Sequence, residues 1–438
     1  MTGVALRRPA IFYGWYIVGV ALVAQFISAG TSAYAAGVFL KPMTEDLGWS
    51  RGDFSAVQTV STVVMGALGL FVGVQVDKRG PRPLMLAGGV ISGASLILLS
   101  RVESLWQFYL IRGIGHTAGN ALLGNLVVNV TVARWFVVRR GMAVSIASAG
   151  VSMGGVLMAP LASWWVEAYG WQTAWVLTGL LVWATIIPAA FVVRRSPEEA
   201  GMTPDGMSPE EAEAFAASHR RASAASEVQW TRAEAVRTRT IWLIILAYGV
   251  ANIGLGAMLL HLFSFLTDQG YSRATAAGLF SVMSWSALIS KAVWGALMDR
   301  FHARMLSAAG FALSGVSIIA LLAVAGRSEA LSIAVLALYG LGIGGMVPLQ
   351  ETVWASYFGR THLGRIRSVA MPFSIVFGAG GPVLAGFLYD ETGSYTLAFV
   401  LFAMFSAVGL VLILLARPPL RQERPDGLAL PPEAGVAV

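Results

Sequence analysis

The chain has 438 residues, no cysteine, 56% hydrophobic residues and only 12% charged ones, about half of the ~25% usual in soluble domains. That is too little charge to cover the surface of a soluble protein this long. A cytosolic enzyme, a disulfide scaffold and a disordered chain are excluded, as are thiolate metal sites and cysteine nucleophiles. The formal charge of +7 must then be explained by where the charges sit.

Apolar stretches of about 20 residues, enough for a hydrocarbon core of ~30 Å, recur through most of the chain. They predict an all-α integral membrane protein with twelve transmembrane helices. The spans are 11–39, 54–76, 83–100, 105–131, 141–166, 171–193, 240–267, 273–298, 304–325, 329–356, 366–389 and 395–416. Arg7 and Arg8 precede the first, but it is too long for a cleaved signal and lacks a small-residue cleavage site. With the N-terminus inside, the inner connections hold 23 Lys and Arg, including Arg7, Arg8, Arg220, Arg221, Arg360, Arg421 and Arg424. The outer connections hold 5: Lys41, Arg51, Arg101, Arg273 and Arg327. The positive-inside rule therefore puts both termini on the cytoplasmic side of the cell's inner membrane. No basic patch with readable polar or aromatic partners points to nucleic acid.

The long polar segment 194–239 divides the chain. Residues 1–193 form an N-terminal six-helix bundle, 194–239 a cytoplasmic linker, and 240–416 a C-terminal six-helix bundle; 417–438 is a Pro-rich tail expected to be disordered. Ser208-Pro209-Glu210-Glu211 reads as the start of a short amphipathic helix on the cytoplasmic face. The halves repeat at an offset of 222 residues. Gly73-Val74-Gln75-Val76-Asp77-Lys78 returns as Gly295-Ala296-Leu297-Met298-Asp299-Arg300, Trp135-Phe136 as Tyr357-Phe358, and Pro160 as Pro382. Two pseudo-symmetric bundles in parallel follow. Such a pair carries its substrate site near the midplane and exposes it alternately to either side.

The stretch Gly73-x-x-x-Asp77-Lys78-Arg79-Gly80-Pro81-Arg82 resembles the loop signature of the major facilitator superfamily. Gly73 would let two helices approach. Asp77, with Lys78 and Arg82, would latch one conformation, and Gly295, Asp299 and Arg300 form its degenerate copy.

Further motifs are similar to the bacterial branch of the monocarboxylate and oxalate–formate transporter families. They are Phe12-Tyr13-Gly14-Trp15, Gly37-Val38-Phe39-Leu40-Lys41-Pro42, Gly48-Trp49-Ser50-Arg51, the loop from Trp135 to Ala143, and the seventh-span exit from His261 to Ser272. The resemblance covers residues 11–416. It implies a small organic anion, often a carboxylate, moved with a proton or exchanged for another anion. It also implies a cationic anchor in the eighth span, usually Arg. Here that position is Lys291, which keeps the charge and loses the bidentate fork. Where animal members carry an Asp one turn earlier and a Lys closing the first span, this chain has Ala287 and Tyr34.

Few ionisable residues fall inside spans: Arg112, His116, His261, Lys291 and Glu351. A charge at the membrane centre costs at least ~2.5 kcal/mol, so each needs a cavity or a partner. Lys291, eight residues before Asp299, lies ~12 Å from the inner end and has no acid on its own helical face. It is either an anion anchor or half of a structural ion pair. Glu351 lies at a similar depth. It either pairs with Lys291 or carries a proton when the anion displaces it. Arg112, His116 and Asn120 share a face of span four, turned to the cavity or to hydrogen bonds within the first bundle. His116 and His261 are further proton-coupling candidates, each with a packing alternative. Tyr13, Tyr34, Trp285 and Tyr339 are aromatic cavity candidates, Tyr34 and Trp285 being placed with the substrate.

No phosphate loop, zinc-binding spacing or catalytic triad occurs. The expectation is a monomeric secondary transporter, with no cofactor, metal or catalytic residue, moving a small organic anion such as a monocarboxylate in exchange or with protons. The rival readings are a multidrug efflux transporter and a carboxylate-sensing membrane receptor.

Overall fold

The computed structural model describes residues 12–208, 211, 230–359 and 362–419, and every regular element among them is helical. In chain order these are α1 (Gly14–Leu47), α2 (Arg51–Arg79), α3 (Pro81–Leu99), α4 (105–135), and α5 and α6, the two limbs of Arg140–Val192. Then follow α7 (Arg239–Asp268), α8 (Arg273–Met298), α9 (Ala303–Val324), α10 (Glu329–Phe358), α11 (Met371–Thr392) and α12 (Thr396–Leu415). Hydroxyl caps set several starts. Ser50, Thr238, Ser272 and Ser328 each accept the N–H three residues on, which satisfies a donor that the helix leaves open.

Among the described residues nine helices are long and apolar enough to cross a membrane, ten if the bent pair Arg51–Gly69 and Phe71–Arg79 is one span. The expected twelve are not matched one for one, for two reasons. The expected spans 141–166 and 171–193 run together as one helix of 53 residues. That is ~80 Å of helix, far more than a bilayer, and it reverses at Gly170, whose φ of 79° suits only glycine well. The expected span 105–131 is not one regular helix. It is π-helical over Tyr109–His116 and broken at Gly124, where ψ is −159°.

Packing is tight where small residues meet. A Cβ at Gly179 would lie 2.6 Å from the Gly93 carbonyl oxygen, so α3 and α6 touch backbone to backbone. The helices α1 to α6 share one apolar core, and it runs on into the ends of α7 to α12 that lie away from segment 194–239. At the end that carries this segment, here the linker end, α7 and α9 to α12 have a separate core around Trp230, Tyr248, Phe311, Trp354 and Phe358. The halves are therefore welded at the far end and not at the linker end.

The linker is anchored on both sides. The Asp205 carboxylate accepts the N–H groups of Val137, Val138 and Arg139 at 2.6, 2.8 and 3.1 Å, tying it to the connection before α5. Ser208 and Glu211 form the expected capping pair, at 2.8 and 3.2 Å. Most of the helix they were expected to start lies outside the described residues, as do Arg7, Arg8, Arg220, Arg221, Arg360, Arg421, Arg424 and most of the tail. A second short helix, Arg232–Val236, was not expected; Thr231 and Glu234 cap it.

The contact between α3 and α6 predicts that Gly179→Val lowers stability by ~1–3 kcal/mol, as overpacking does. Gly19→Ala, where a Cβ meets nothing within 4 Å, leaves stability unchanged or slightly raised. Thermal unfolding of both variants in detergent checks the difference.

Candidate functional site

Three π-helical turns lie within α1, α4 and α5: Gly30–Tyr34, Tyr109–His116 and Gly154–Met158. Such turns are rare and gather at functional sites. The first and third touch, since a Cβ at Gly154 would lie 2.9 Å from the Gly30 nitrogen. Against them runs α8. Its Phe280 ring meets the Tyr34 ring edge-on at 6.0 Å, and Ser281 donates to the Val156 carbonyl at 2.8 Å. Lys291 Nζ donates to Ser152 Oγ of α5 at 2.9 Å. Phe280, Ser284, Ala287 and Lys291 follow one helical face, so one side of α8 lines this seam.

Lys291 is half-buried. Among the described residues no carboxylate pairs with it. An ammonium has three N–H bonds, and Ser152 takes one. The Tyr34 hydroxyl likewise has no hydrogen-bond partner among the described residues. The seam thus presents a cation and a phenol with unused hydrogen-bonding capacity.

The stripe on α4 behaves differently. The buried Arg112 donates to the carbonyls of Thr31 and Ser32 at 3.1 and 2.8 Å. Those carbonyls belong to the π turn of α1. His116 hydrogen-bonds Ser92 through Nδ1 at 3.0 Å and meets Thr31 at 3.5 Å. Asn120 donates to Ser28 at 3.4 Å. All three side chains are engaged by elements of the first half, the helix-to-helix alternative. Gln25 adds to this column by donating to Asn129 at 3.2 Å.

At the far end the halves meet through charge. Arg51 grips Asp268 with both terminal nitrogens, Nη1 to Oδ2 at 2.5 Å and Nη2 to Oδ1 at 3.2 Å, and Lys41 reaches Oδ1 at 2.8 Å. The Arg51 guanidinium lies 3.8 Å over the Tyr389 ring and donates to the Tyr395 hydroxyl at 2.8 Å. Asp390 accepts the N–H groups of Arg51 and Gly52 at 2.9 and 2.7 Å. Below this sits His261, fully buried. Its Nε2 meets the Pro382 carbonyl at 2.9 Å and Ser55 at 3.1 Å, and Nδ1 meets Tyr395 at 3.0 Å. Both ring nitrogens are thus used in closing the far end.

The profile of the Major Facilitator Superfamily matches residues 21–371 and 267–434. The chain belongs to this superfamily. Monocarboxylate transporter 13 of Rattus norvegicus is 28% identical over 76% of this chain and 72% of its own length. The oxalate:formate antiporter of Oxalobacter formigenes is 25% identical over 92% and 93%. A bacterial homologue of the human lysosomal transporter Spinster, solved in an inward-facing and occupied conformation, shares the fold with a TM-score of 0.68 at 15% identity, over 92% of this chain and 96% of that one. The chain is a multi-pass membrane transporter, and its relatives are transporters rather than enzymes.

With the superfamily fold established, the other expected residues can be placed. Asp77 accepts Arg134 of α4 at 2.5 Å, and Arg195 bonds the Asp77 carbonyl. Lys78 is exposed, and Arg82 stacks over Phe191 at 4.9 Å. Asp299 and Arg300 are exposed and have no side-chain partner among the described residues. The repeat accounts for this difference, because the position equivalent to Arg134 is Ser356. Gly73 was expected to allow a close helix approach. A Cβ at Gly73 or at Gly295 meets nothing within 4 Å, so neither glycine mediates a close helix approach here.

Glu351 does not pair with Lys291. It binds Arg367, from the connection before α11, at 2.7 Å, and both side chains are more than a third exposed. Arg367 reaches it from the linker end, where water competes. Trp285 is 52% exposed and lies ~120° around α8 from Lys291, away from the seam. Tyr13 bonds the Val192 carbonyl at the linker end, and Tyr339 is buried within the second half. Sequence reasoning missed Ser152, Gln25 and the Arg51–Asp268 pair. A Gln inside span one was a usable signal for the second. The π turns have no signal beyond clustered glycine.

The stripe yields a test. Arg112→Leu strands the Thr31 and Ser32 carbonyls and is expected to lower stability by ~1–3 kcal/mol. Thermal unfolding checks this, with the same loss whether or not a carboxylate is present.

Proposed function

We propose that this transporter moves a small organic anion, a monocarboxylate or a short dicarboxylate, by alternating access, with Lys291 as the anchor of the carboxylate. The observation that carries the reading is the half-buried Lys291 ammonium at the seam, held by the neutral Ser152 hydroxyl and, among the described residues, by no acid. A buried charge needs compensation, and an anion supplies it. The names of the relatives, monocarboxylate transporters and an oxalate:formate antiporter, support the substrate class. Tyr34 would donate to the second carboxylate oxygen.

The same uncompensated charge favours exchange over proton coupling. Closing an empty seam over a bare ammonium is disfavoured, whereas a carrier with an anion on Lys291 can rock in both directions. Glu351, His116 and His261 all have other partners, so a proton carrier next to Lys291 has less support than anion exchange. By the positive-inside count, the linker end faces the cytoplasm of the inner membrane. With the far end closed, this would be an inward-facing conformation, and the transporter would act as a monomer. Residues 1–193 and 240–416 would move as bodies, with Asp77 and Arg134 latching the linker end in the opposite state.

The test is a thermal-shift screen of the purified protein against small carboxylates, followed by counterflow in proteoliposomes. Stabilising carboxylates should drive exchange of labelled anion. Lys291→Ala should weaken binding by roughly tenfold or more, the worth of a charge-assisted hydrogen bond, and Lys291→Arg should retain it. If no carboxylate stabilises the protein or crosses, the assignment is lost. Flux of lipophilic cations would favour the efflux reading, and binding without flux the receptor.

A further inference from the structure

The far-end cluster contains more than a lock. Two cations of the first half, Lys41 on α1 and Arg51 on α2, converge on one carboxylate of the second half, Asp268 on α7. Both oxygens of that carboxylate are held, one by the fork and the other shared between the fork and the ammonium. This is the arrangement by which proteins recognise a free carboxylate. We propose that Lys41 and Arg51 form a second carboxylate-binding site at the far-end mouth, and that Asp268 fills it only while the mouth is shut.

The partition of the partners between the halves carries the argument. Arg51 is held from the second half by Asp268, by the rings of Tyr389 and Tyr395, and through its backbone by Asp390. When the mouth opens, all of these leave together. Arg51 and Lys41 remain side by side on the first half without them. The neighbouring acid Asp46 is already bound by Trp171 at 2.9 Å and Gln172 at 3.3 Å. The open mouth therefore exposes two adjacent cations in the geometry that had just held a carboxylate.

An anion that occupies this site excludes Asp268, so it binds the open mouth and not the closed one. A ligand with that preference shifts the population towards the open state. The transported carboxylate would then be captured at the mouth and would hold it open until it passes to Lys291. This rests on the carboxylate reading above, and sidedness separates the two claims. Lys291 serves anions arriving from either side, whereas Lys41 and Arg51 serve only those arriving at the far end.

The chain has no cysteine, so Glu103→Cys and Glu329→Cys can carry a pair of spin labels on far-end connections of the two halves. Electron–electron distances are read in proteoliposomes with and without formate, oxalate or pyruvate. In the otherwise unchanged protein a carboxylate should lengthen the distance. Asp268→Asn should lengthen it without ligand. In oriented vesicles, Lys41→Gln, which keeps the Arg51–Asp268 fork, should raise KM about tenfold for anion added at the far end and leave it unchanged at the linker end. Lys291→Ala should impair both sides. The proposal is overturned if none of the carboxylates changes the distance. It is also overturned if Asp268→Asn opens the mouth while Lys41→Gln leaves the far-end KM as it was, for the cluster is then a lock and no site. Equal loss at both ends in Lys41→Gln overturns it as well.

Discussion

A charge taken out of water must be compensated, and how each charge meets that demand organises this molecule. Arg112 donates to two carbonyls of the π turn of α1, and Arg51 is paired with Asp268. These charges hold structure together. Among the described residues Lys291 has only a hydroxyl as partner. The functional reading proposed above takes its remaining compensation to come from an anion.

The two halves reproduce one scaffold and diverge in their charges. The indole of Trp135 donates to the Arg194 carbonyl at 3.2 Å, and the hydroxyl of Tyr357 donates to the Ala416 carbonyl at 2.9 Å. Both donor and acceptor are displaced by the same 222 residues. The contact closes each half against the chain leaving its last helix. By contrast Arg112 corresponds to Ala334, Lys291 to Gly69 and Arg134 to Ser356. Backbone-directed contacts kept the repeat, while these charges are unique to one half.

Much of the fold was legible because bilayer length, apolar runs and Lys/Arg placement act locally along the chain. Ser208 and Glu211 cap as their spacing implied, and the ends of α8 fall where the sequence put them. The fourth span was read as one helix because hydropathy does not register how a backbone hydrogen bond is routed. The change to π geometry depends on neighbours in α1 and α3. That Glu351 could pair with Lys291 rests on similar depth along two helices, but depth says nothing about rotation or about a connection folding back, and Arg367 comes from such a connection.

The sequence by itself determined that this chain is a helical membrane protein built twice over, and that a few charges lie within its spans. Those properties are sums over local composition and survive any small error in boundaries. Only the tertiary structure decided which charges find partners, because that depends on ångström distances between residues up to 344 positions apart. Arg51 and Asp268, ordinary loop charges in the sequence, became the clasp of the far end through helix packing, and the same packing left Lys291 without an acid among the described residues.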